Sequence, residues 1–146
     1  MEKRRLEYLQ ARSSTLRRKV IKTRDGGSLK LIGVLDSGMT AVVMKAQFIV
    51  NDMLKGYFAV KCVSKDYLNS QGDKSLAERR WYCIERERQL MSRIDNQFII
   101  KQYEPYKSAN WIYLVQEFAN GGNLKDLIER QPGGCLSERV AKKIIS

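Results

Sequence analysis

The sequence predicts an α+β fold, in which an antiparallel sheet is combined with one main helix. Between residues 17 and 63, runs rich in β-branched and aromatic residues follow one another with short connections, which is typical of antiparallel strands. Residues 76–93 then take the apolar spacing of an amphipathic helix, and two more strand-like runs follow. The length of 146 residues suffices for one hydrophobic core and hardly for two.

The first half of the chain divides into a short basic helix and several strands. Residues 2–12 favour the helix, and Asp25-Gly26-Gly27 is a strong turn signal that predicts a hairpin. Two further strands are predicted at 41–50 and 57–63, with a loop at 51–56 between them.

The second half begins with a polar segment, 64–75, that is predicted as a loop. Pro132-Gly133-Gly134 would stop one helix, and Ser137 would cap the next. The predicted elements are the helix 76–93, strands within 98–106 and 110–118, a helix within 123–131 and a helix from 137.

The composition is that of an ordinary globular protein, with 43% hydrophobic and 29% charged residues. No run approaches the roughly 20 apolar residues of a membrane span, and the N-terminus lacks the apolar segment of a signal peptide. We therefore expect a cytoplasmic protein.

Three cysteines and the absence of histidine restrict the chemistry. Cys62, Cys83 and Cys135 are widely spaced, and most zinc sites as well as Ser-His-Asp and Cys-His catalysis are excluded. Reduced thiols are expected, at least one of them in the core.

The net charge of +11 is densest in residues 2–24, with a second cluster at 77–88. Solvated helix faces and a basic tail explain it, while nucleic acid, an anionic membrane surface or an acidic partner are the alternatives. Because most aromatic residues lie in apolar runs, nucleic acid is the less favoured partner.

A lysine stands within the apolar run YFAVKCV, residues 57–63. Side chains alternate along a strand, so Lys61 shares its face with Ala59 and Val63. An unpaired buried ammonium costs several kcal/mol, so either this is an edge strand or an anionic group meets Lys61.

The helix 76–93 offers such a group. Glu87 lies near the centre of an apolar stripe, whereas a glutamate in a charged helix is usually solvated. A pair between Glu87 and Lys61 would explain both the lysine in an apolar strand and the glutamate in an apolar helix stripe. The stripe consists of Cys83, Ile84, Leu90, Met91 and Ile94.

A glycine turn precedes these elements. Gly38 lies between two apolar strands among the small residues Ser37, Thr40 and Ala41, which would let the backbone approach a phosphate closely. A tight hairpin also needs such residues, and the Walker P-loop pattern is absent from the sequence.

This order of strands, glycine turn, Ala59-Val60-Lys61, helix glutamate and the segment LVQEFANGGNL (114–124) resembles the first half of a eukaryotic serine/threonine protein kinase. The resemblance runs from about residue 29 to residue 146 and includes the autophagy-initiating group. It implies a kinase-like N-lobe with a five-stranded antiparallel sheet at 29–118, followed at 119–146 by the hinge and the first helices of the C-lobe. An extra strand or a docking tail would both fit residues 1–28.

The resemblance also implies roles for particular residues. Lys61 would bind the α- and β-phosphates of ATP and be oriented by Glu87, and these two are the expected catalytic residues. The glycine-loop pattern falls on Asp36 to Val43, where only Gly38 is kept and the acidic Asp36 disfavours phosphate binding. The implied ATP-binding set is Leu35, Gly38, Val43, Ala59, Lys61, Gln116, Glu117, Ala119 and Asn123.

Within this set, Val43 and Ala59 would pack on the adenine, and Gln116 would close the back of the adenine pocket. The backbone of Glu117 and Ala119 would bond to the adenine edge, and Asn123 would lie near the ribose.

Phosphoryl transfer further needs an aspartate base and Mg²⁺ ligands, which kinases take from His-Arg-Asp and Asp-Phe-Gly motifs. Neither motif occurs in these 146 residues. Asp25-Gly26-Gly27 and Arg93-Ile94-Asp95-Asn96 precede the adenine-binding segment and cannot replace them. We therefore expect ATP as cofactor, Mg²⁺ held by ligands outside this chain, and no turnover by the chain alone.

Two alternatives stay open: a non-catalytic, pseudokinase-like module that binds nucleotide or a partner, and a basic binding protein on a kinase-derived scaffold. The expected partner of a whole kinase is a protein substrate. Self-association is expected through apolar side chains, namely Ile128, Val140, Ile144 and Ile145.

Overall fold

The computed structural model describes residues 11–38, 41–69 and 74–145. Most of the helix predicted at 2–12 lies outside these residues. Residues 11 and 12, the described end of this predicted helix, are helical, and the helix continues to residue 16. We label residues 11–16 α1.

Six antiparallel strands form one sheet in the order β1-β2-β3-β4-β6-β5. The predicted α+β fold with an antiparallel sheet is confirmed, and β1 adds a sixth strand that pairs with β2 across the Asp25-Gly26-Gly27 turn. The strands are β1 (Val20–Lys22), β2 (Ser28–Ser37), β3 (Ala41–Val50), β4 (Met53–Ser64), β5 (Gln102–Lys107) and β6 (Trp111–Glu117).

Helix α1 precedes the sheet, α2 and α3 connect β4 to β5, and α4 and α5 follow β6. Asn123 caps α4 by accepting a hydrogen bond from the Asp126 backbone N–H at 2.8 Å, and Ser137 Oγ accepts one from the Val140 N–H at 3.4 Å. Among the described residues, no helix has both the length and the apolar character that a bilayer span requires. The helices are α2 (Lys65–Asn69), α3 (Lys74–Arg93), α4 (Leu124–Glu129) and α5 (Glu138–Ile145), with a 3-10 turn at Pro132–Gly134.

The connection between β3 and β4 is shorter than predicted. Asn51 and Asp52 alone form the turn, with φ of 50° and 59°, and β4 begins at Met53. Both residues tolerate the left-handed conformation that two-residue hairpin turns demand. The predicted loop is therefore confirmed for Asn51 and Asp52, and the prediction is wrong for residues 53–56, which belong to β4.

The loop predicted at 64–75 is also wrong in part, because α2 occupies Lys65–Asn69. Ser64 Oγ accepts a hydrogen bond from the Tyr67 N–H at 3.3 Å, and Leu68 is fully buried. One buried leucine is enough to anchor a single helical turn, but it produces no periodic signal.

The strand predicted within 98–106 begins only at Gln102. Asn96 forms a turn before it, since its side-chain oxygen accepts from the Phe98 N–H at 2.9 Å and its carbonyl from the Ile99 N–H at 3.1 Å. This turn leaves Phe98 86% exposed.

Two clusters of buried side chains lie on opposite faces of the sheet. The front face, which carries Ala59 and Lys61, meets α2 and α3 through one cluster: Ala41, Val63, Leu68, Ile112 and Leu114, with Trp81 and Ile84 packed on it. The back face is covered by α1, which contributes Leu16, and the other members of its cluster include Ile21, Leu31, Met44, Val60, Cys62 and Tyr113 of the strands.

The apolar stripe predicted on α3 is only partly a packing face. Ile84 and Met91 are half-buried, whereas Cys83, Leu90 and Ile94 are exposed. The helix therefore contacts the sheet along a narrower line than the spacing of its apolar residues predicts.

Candidate functional site

Strand β4 holds Lys61 in the middle of the sheet. Its Cα is paired with Val43 on β3 and with Leu114 on β6, so the strand has a neighbour on both sides. The alternative that Lys61 lies on a solvated edge strand is thereby excluded.

The structure brings Glu87 of α3 to this lysine. Lys61 Nζ donates to Glu87 Oε1 at 2.7 Å and to Oε2 at 3.0 Å. The side chains are 24% and 42% exposed, so water screens the pair and its contribution to stability is about 1 kcal/mol. Contact with both carboxylate oxygens nevertheless fixes the position of the ammonium group on the front face.

A cleft of about 790 Å³ lies beside the pair, between the sheet and the start of α4. Ala59 lines it, two residues before Lys61 on the same face of β4. Seven residues of the predicted set line this cleft: Leu35, Val43, Ala59, Gln116, Glu117, Ala119 and Asn123.

The other two residues of the predicted set, Lys61 and Gly38, do not line this cleft of about 790 Å³. Lys61 lines a neighbouring cavity of about 410 Å³ together with Glu87, and its other walls include Arg79, Arg80 and Cys83. Gly38 closes the turn after β2, where its N–H donates to the Ala41 carbonyl at 2.9 Å. Thr40 of this turn lies outside the described residues.

Nothing within the described chain demands a glycine at position 38. A Cβ built there would meet only the Ala41 carbonyl oxygen at 3.8 Å, which is an ordinary contact. Close packing therefore gives no reason for the glycine, whereas the approach of a bound group would give one.

At the end of β6, the backbone N–H of Glu117 is hydrogen-bonded within the chain, whereas the Ala119 backbone is available to a ligand among the described residues. The Glu117 N–H donates to the Lys101 carbonyl at 2.8 Å, so only the Glu117 carbonyl could accept from a base. Within the described part of the chain, the Ala119 backbone makes no hydrogen bond. An adenine edge needs one acceptor and one donor, and these two residues offer them.

The back of the cleft is polar. Gln116 Nε2 donates to Gln102 Oε1 at 3.4 Å, and both residues are paired across β5 and β6. Gln102 is 7% exposed, and its Nε2 is the one buried side-chain polar atom of the described residues that lacks a partner. Gln102 was not predicted, because its position in an otherwise ordinary strand pattern carries no signal.

Acidic side chains also line the cleft. Asp36 accepts a hydrogen bond from the Ser37 N–H at 2.7 Å, and Asp126 lies in the first turn of α4, where Asn123 Oδ1 caps its backbone N–H. Asp126 was missed, although its place three residues after a capping asparagine is a readable signal. The other lining residues that were not predicted are Ile100, Phe118, Gly122 and Lys125.

No metal site is evident from side chains. Among residues 11–38, 41–69 and 74–145, no three cysteine or acidic side chains lie close enough to bind a metal ion.

The residues fit a nucleotide with one exception. Ala59 leaves room for a flat ring, Val43 supplies an apolar surface, and Lys61 is a cation held in place by Glu87. The Asp36 carboxylate at the mouth of the glycine turn would repel phosphate.

Comparison with known proteins gives this arrangement a family. The protein kinase domain model matches residues 29–146, which is most of the chain. The serine/threonine-protein kinase RHS3 of Arabidopsis thaliana is 33% identical over 86 residues, covering 59% of this chain and 16% of that protein. Protein kinase G11A of Oryza sativa subsp. indica is 28% identical over 127 residues, covering 84% of this chain and 20% of the relative.

A third relative, calcium-dependent protein kinase 5 of Plasmodium falciparum, is 36% identical over 89 residues and shares 15% of its own length with this chain. The chain thus spans about one sixth of the length of the relatives it matches. The resemblance to autophagy-initiating kinases finds no support among these relatives and stays a prediction. The chain belongs to the protein kinase family, and its relatives are serine/threonine kinases.

Proposed function

We propose that this chain is the ATP-binding part of a serine/threonine protein kinase that transfers the γ-phosphate of ATP to protein hydroxyl groups. The observation that carries the proposal is the contact between Lys61 Nζ and both carboxylate oxygens of Glu87, beside a cleft of about 790 Å³. A cation held in this way can meet phosphate oxygens without first losing conformational freedom.

Each lining residue has a part in the proposal. Val43 and Ala59 would exclude water from the base, and the Glu117 carbonyl with the Ala119 N–H would fix its edge. Lys61 would neutralise charge on the α- and β-phosphates. Bound Mg²⁺ would neutralise further phosphate charge, and its ligands are expected outside this chain.

The test is the effect of an ATP analogue with Mg²⁺ on the melting temperature of the 146-residue chain. At a hundredfold excess over Kd, a ligand stabilises the folded state by about 2.7 kcal/mol, which is a shift of several degrees. Lys61→Met should abolish the shift, and Glu87→Gln should reduce it because the ammonium is then less well oriented.

Lys55→Met is the matched control, since Lys55 is an exposed lysine on the same strand. It should leave the shift unchanged. An equal loss in Lys61→Met and Lys55→Met, or an equal shift in the parent and Lys61→Met, would contradict the proposal.

A second candidate is the pseudokinase-like module that binds a partner without catalysis. The acidic lining by Asp36, Glu117 and Asp126 favours it, because carboxylates repel phosphate. A folded chain that shows no shift with ATP, and whose Asp36→Gly variant gains one, would support this candidate.

The remaining proposals concern the surroundings of the chain. We also propose a protein substrate, which is what the kinase family implies, and a cytoplasmic location. Self-association is proposed through Val140, Ile144 and Ile145, which are 40%, 45% and 84% exposed, and sedimentation at rising concentration would test it. Ile128, which was also expected to be exposed, is half-buried and offers less surface.

A further inference from the structure

A second cavity lies on the back face of the sheet, away from the nucleotide cleft. Its volume is about 180 Å³, and the buried side chains of Leu29 and Val115 contribute to its apolar walls. Val115 and the cleft residue Gln116 are adjacent on β6, so they point to opposite faces. The two sites are therefore separated by the thickness of the sheet.

Four aromatic side chains line this back cavity. The Phe48 and Phe58 rings are perpendicular at a centroid distance of 5.7 Å, and the Phe58 and Tyr103 rings meet at 85° and 5.3 Å. Tyr106 completes the set. Because these contacts are edge to face, the rings of Phe48, Phe58 and Tyr103 are turned in different directions instead of forming a flat stack.

The hairpin between β1 and β2 holds one of these rings in place. A Cβ on Gly27 would lie 2.6 Å from the Phe48 ring, so the turn packs directly against it. The backbone of this turn thus restricts the position of the Phe48 ring.

The rim of the cavity is acidic. Asp25 and Glu104 both line it, and the Thr23 hydroxyl donates to Asp25, which lowers the pKa of that carboxyl group. Arg24 pairs with Glu104 at 3.1 Å, so the rim keeps one net negative charge.

Aromatic rings elsewhere in this protein already hold cations of the chain itself. In contrast, no lysine or arginine among the described residues lies over Phe48, Phe58, Tyr103 or Tyr106. The occupied examples include Lys45 over Tyr57 and Phe118 at 4.5 and 4.7 Å, Arg12 over Trp111 at 5.7 Å and Lys19 over Tyr113 at 5.7 Å.

We propose that the cavity lined by Phe48, Phe58, Tyr103 and Tyr106 binds an alkylated ammonium group, such as that of choline or a methylated lysine side chain. Ring faces attract a cation whose charge is spread over methyl groups, and the rim carboxylates add a weaker long-range attraction. A volume of about 180 Å³ admits such a head group. A phosphate or carboxylate would be repelled by the remaining negative charge of the rim, at Asp25.

The experiment titrates choline into the 146-residue chain and follows its methyl resonances by saturation-transfer NMR. Neohexyl alcohol, which has a carbon in place of the choline nitrogen, is the neutral control of equal shape. We expect binding of choline and none of the alcohol at the same concentration. Equal binding of both would show a merely hydrophobic cavity and overturn the proposal, as would no binding of either.

Variants locate the site. Tyr103→Leu should weaken choline binding about tenfold, and Asp25→Asn should weaken it less. Tyr82→Leu, an exposed tyrosine on α3, is the matched control and should bind as the parent does. An unchanged affinity in Tyr103→Leu would refute the assignment.

Two further comparisons separate the source of the ligand and the two sites. A peptide with a trimethylated lysine that binds more tightly than choline would point to a protein ligand, and the reverse to a free small molecule. Lys61→Met should bind choline normally, so that failure of the nucleotide proposal and failure of this one remain distinguishable.

Discussion

Neighbouring residues of β4 have opposite surroundings. Lys61 meets Glu87 on the front face, whereas Cys62 is fully buried in the back cluster. Burial disfavours the thiolate and raises the pKa of Cys62 to about 12. The thiol is therefore protonated at neutral pH, and burial shields it from reagents that can reach the exposed Cys83 and Cys135.

Alkylation of the native chain should thus modify two of its three cysteines. At about pH 8, iodoacetamide is expected to react with Cys83 and Cys135, and with Cys62 only after unfolding. Mass spectrometry of the digested chain identifies the labelled peptides. Labelling of Cys62 at the same rate as Cys83 would show that the back cluster is open.

The same shift has a consequence for stability. A pKa raised in the folded state stabilises the fold fully below the unfolded value of 9.0, and this contribution is lost as the pH rises from there towards about 12. Cys62→Val should remove that part of the alkaline loss of stability.

At the residue level, alternation and periodicity suggested the pairing of Lys61 with Glu87, while an edge strand and a solvated glutamate stayed open as alternatives until the structure showed the contact. They could not find Gln102 or Asp126, because the relevance of these residues arises from strand pairing and from the packing of α4.

At the scale of elements, the segment before β2 is an integral part of the sheet. Leu16 of α1 is fully buried, Ile21 of β1 is 7% exposed, and the Arg18 N–H donates to the Leu31 carbonyl at 2.9 Å. This segment covers the back face, which would otherwise expose Leu31 and Met44 to water.

Leu16→Ala should accordingly destabilise the chain by about 2–5 kcal/mol, the cost of a cavity in a packed core. Urea denaturation followed by circular dichroism measures the change. Leu54→Ala, at a leucine that is 48% exposed on β4, should cost less than about 1 kcal/mol. Equal losses would mean that α1 does not pack in solution as it does in the structure.

Long, periodic elements were predictable and short ones were not. The helix 76–93 and the hairpin strands carry repeated signals, whereas α2 has one buried residue and the start of β4 has none. The Asn51-Asp52 turn shows why: a two-residue connection depends on backbone conformation more than on polarity.

At the scale of the whole molecule, the chain spans about one sixth of its relatives' length. It provides a cation and a cleft on one side of a sheet and an aromatic cavity on the other. The His-Arg-Asp and Asp-Phe-Gly motifs, which supply the aspartate base and the Mg²⁺ ligands of kinases, do not occur in these 146 residues. We therefore expect the chain to bind nucleotide without transferring its phosphate.

The 146-residue chain is therefore expected to transfer no phosphate from Mg-ATP to a general protein substrate such as casein. Radiolabelled γ-phosphate incorporation, compared between the parent and Lys61→Met, is the measurement. Incorporation above the Lys61→Met background would show that these residues alone complete a catalytic site.

The placement of two buried clusters on opposite faces of one sheet also provides optical reporters. Of the two tryptophans, Trp111 lies in the back cluster, and Trp81 of α3 packs on the front cluster. Replacing either with phenylalanine leaves a single emitter whose fluorescence follows one face alone, so ligand occupancy on each side can be watched without an added label.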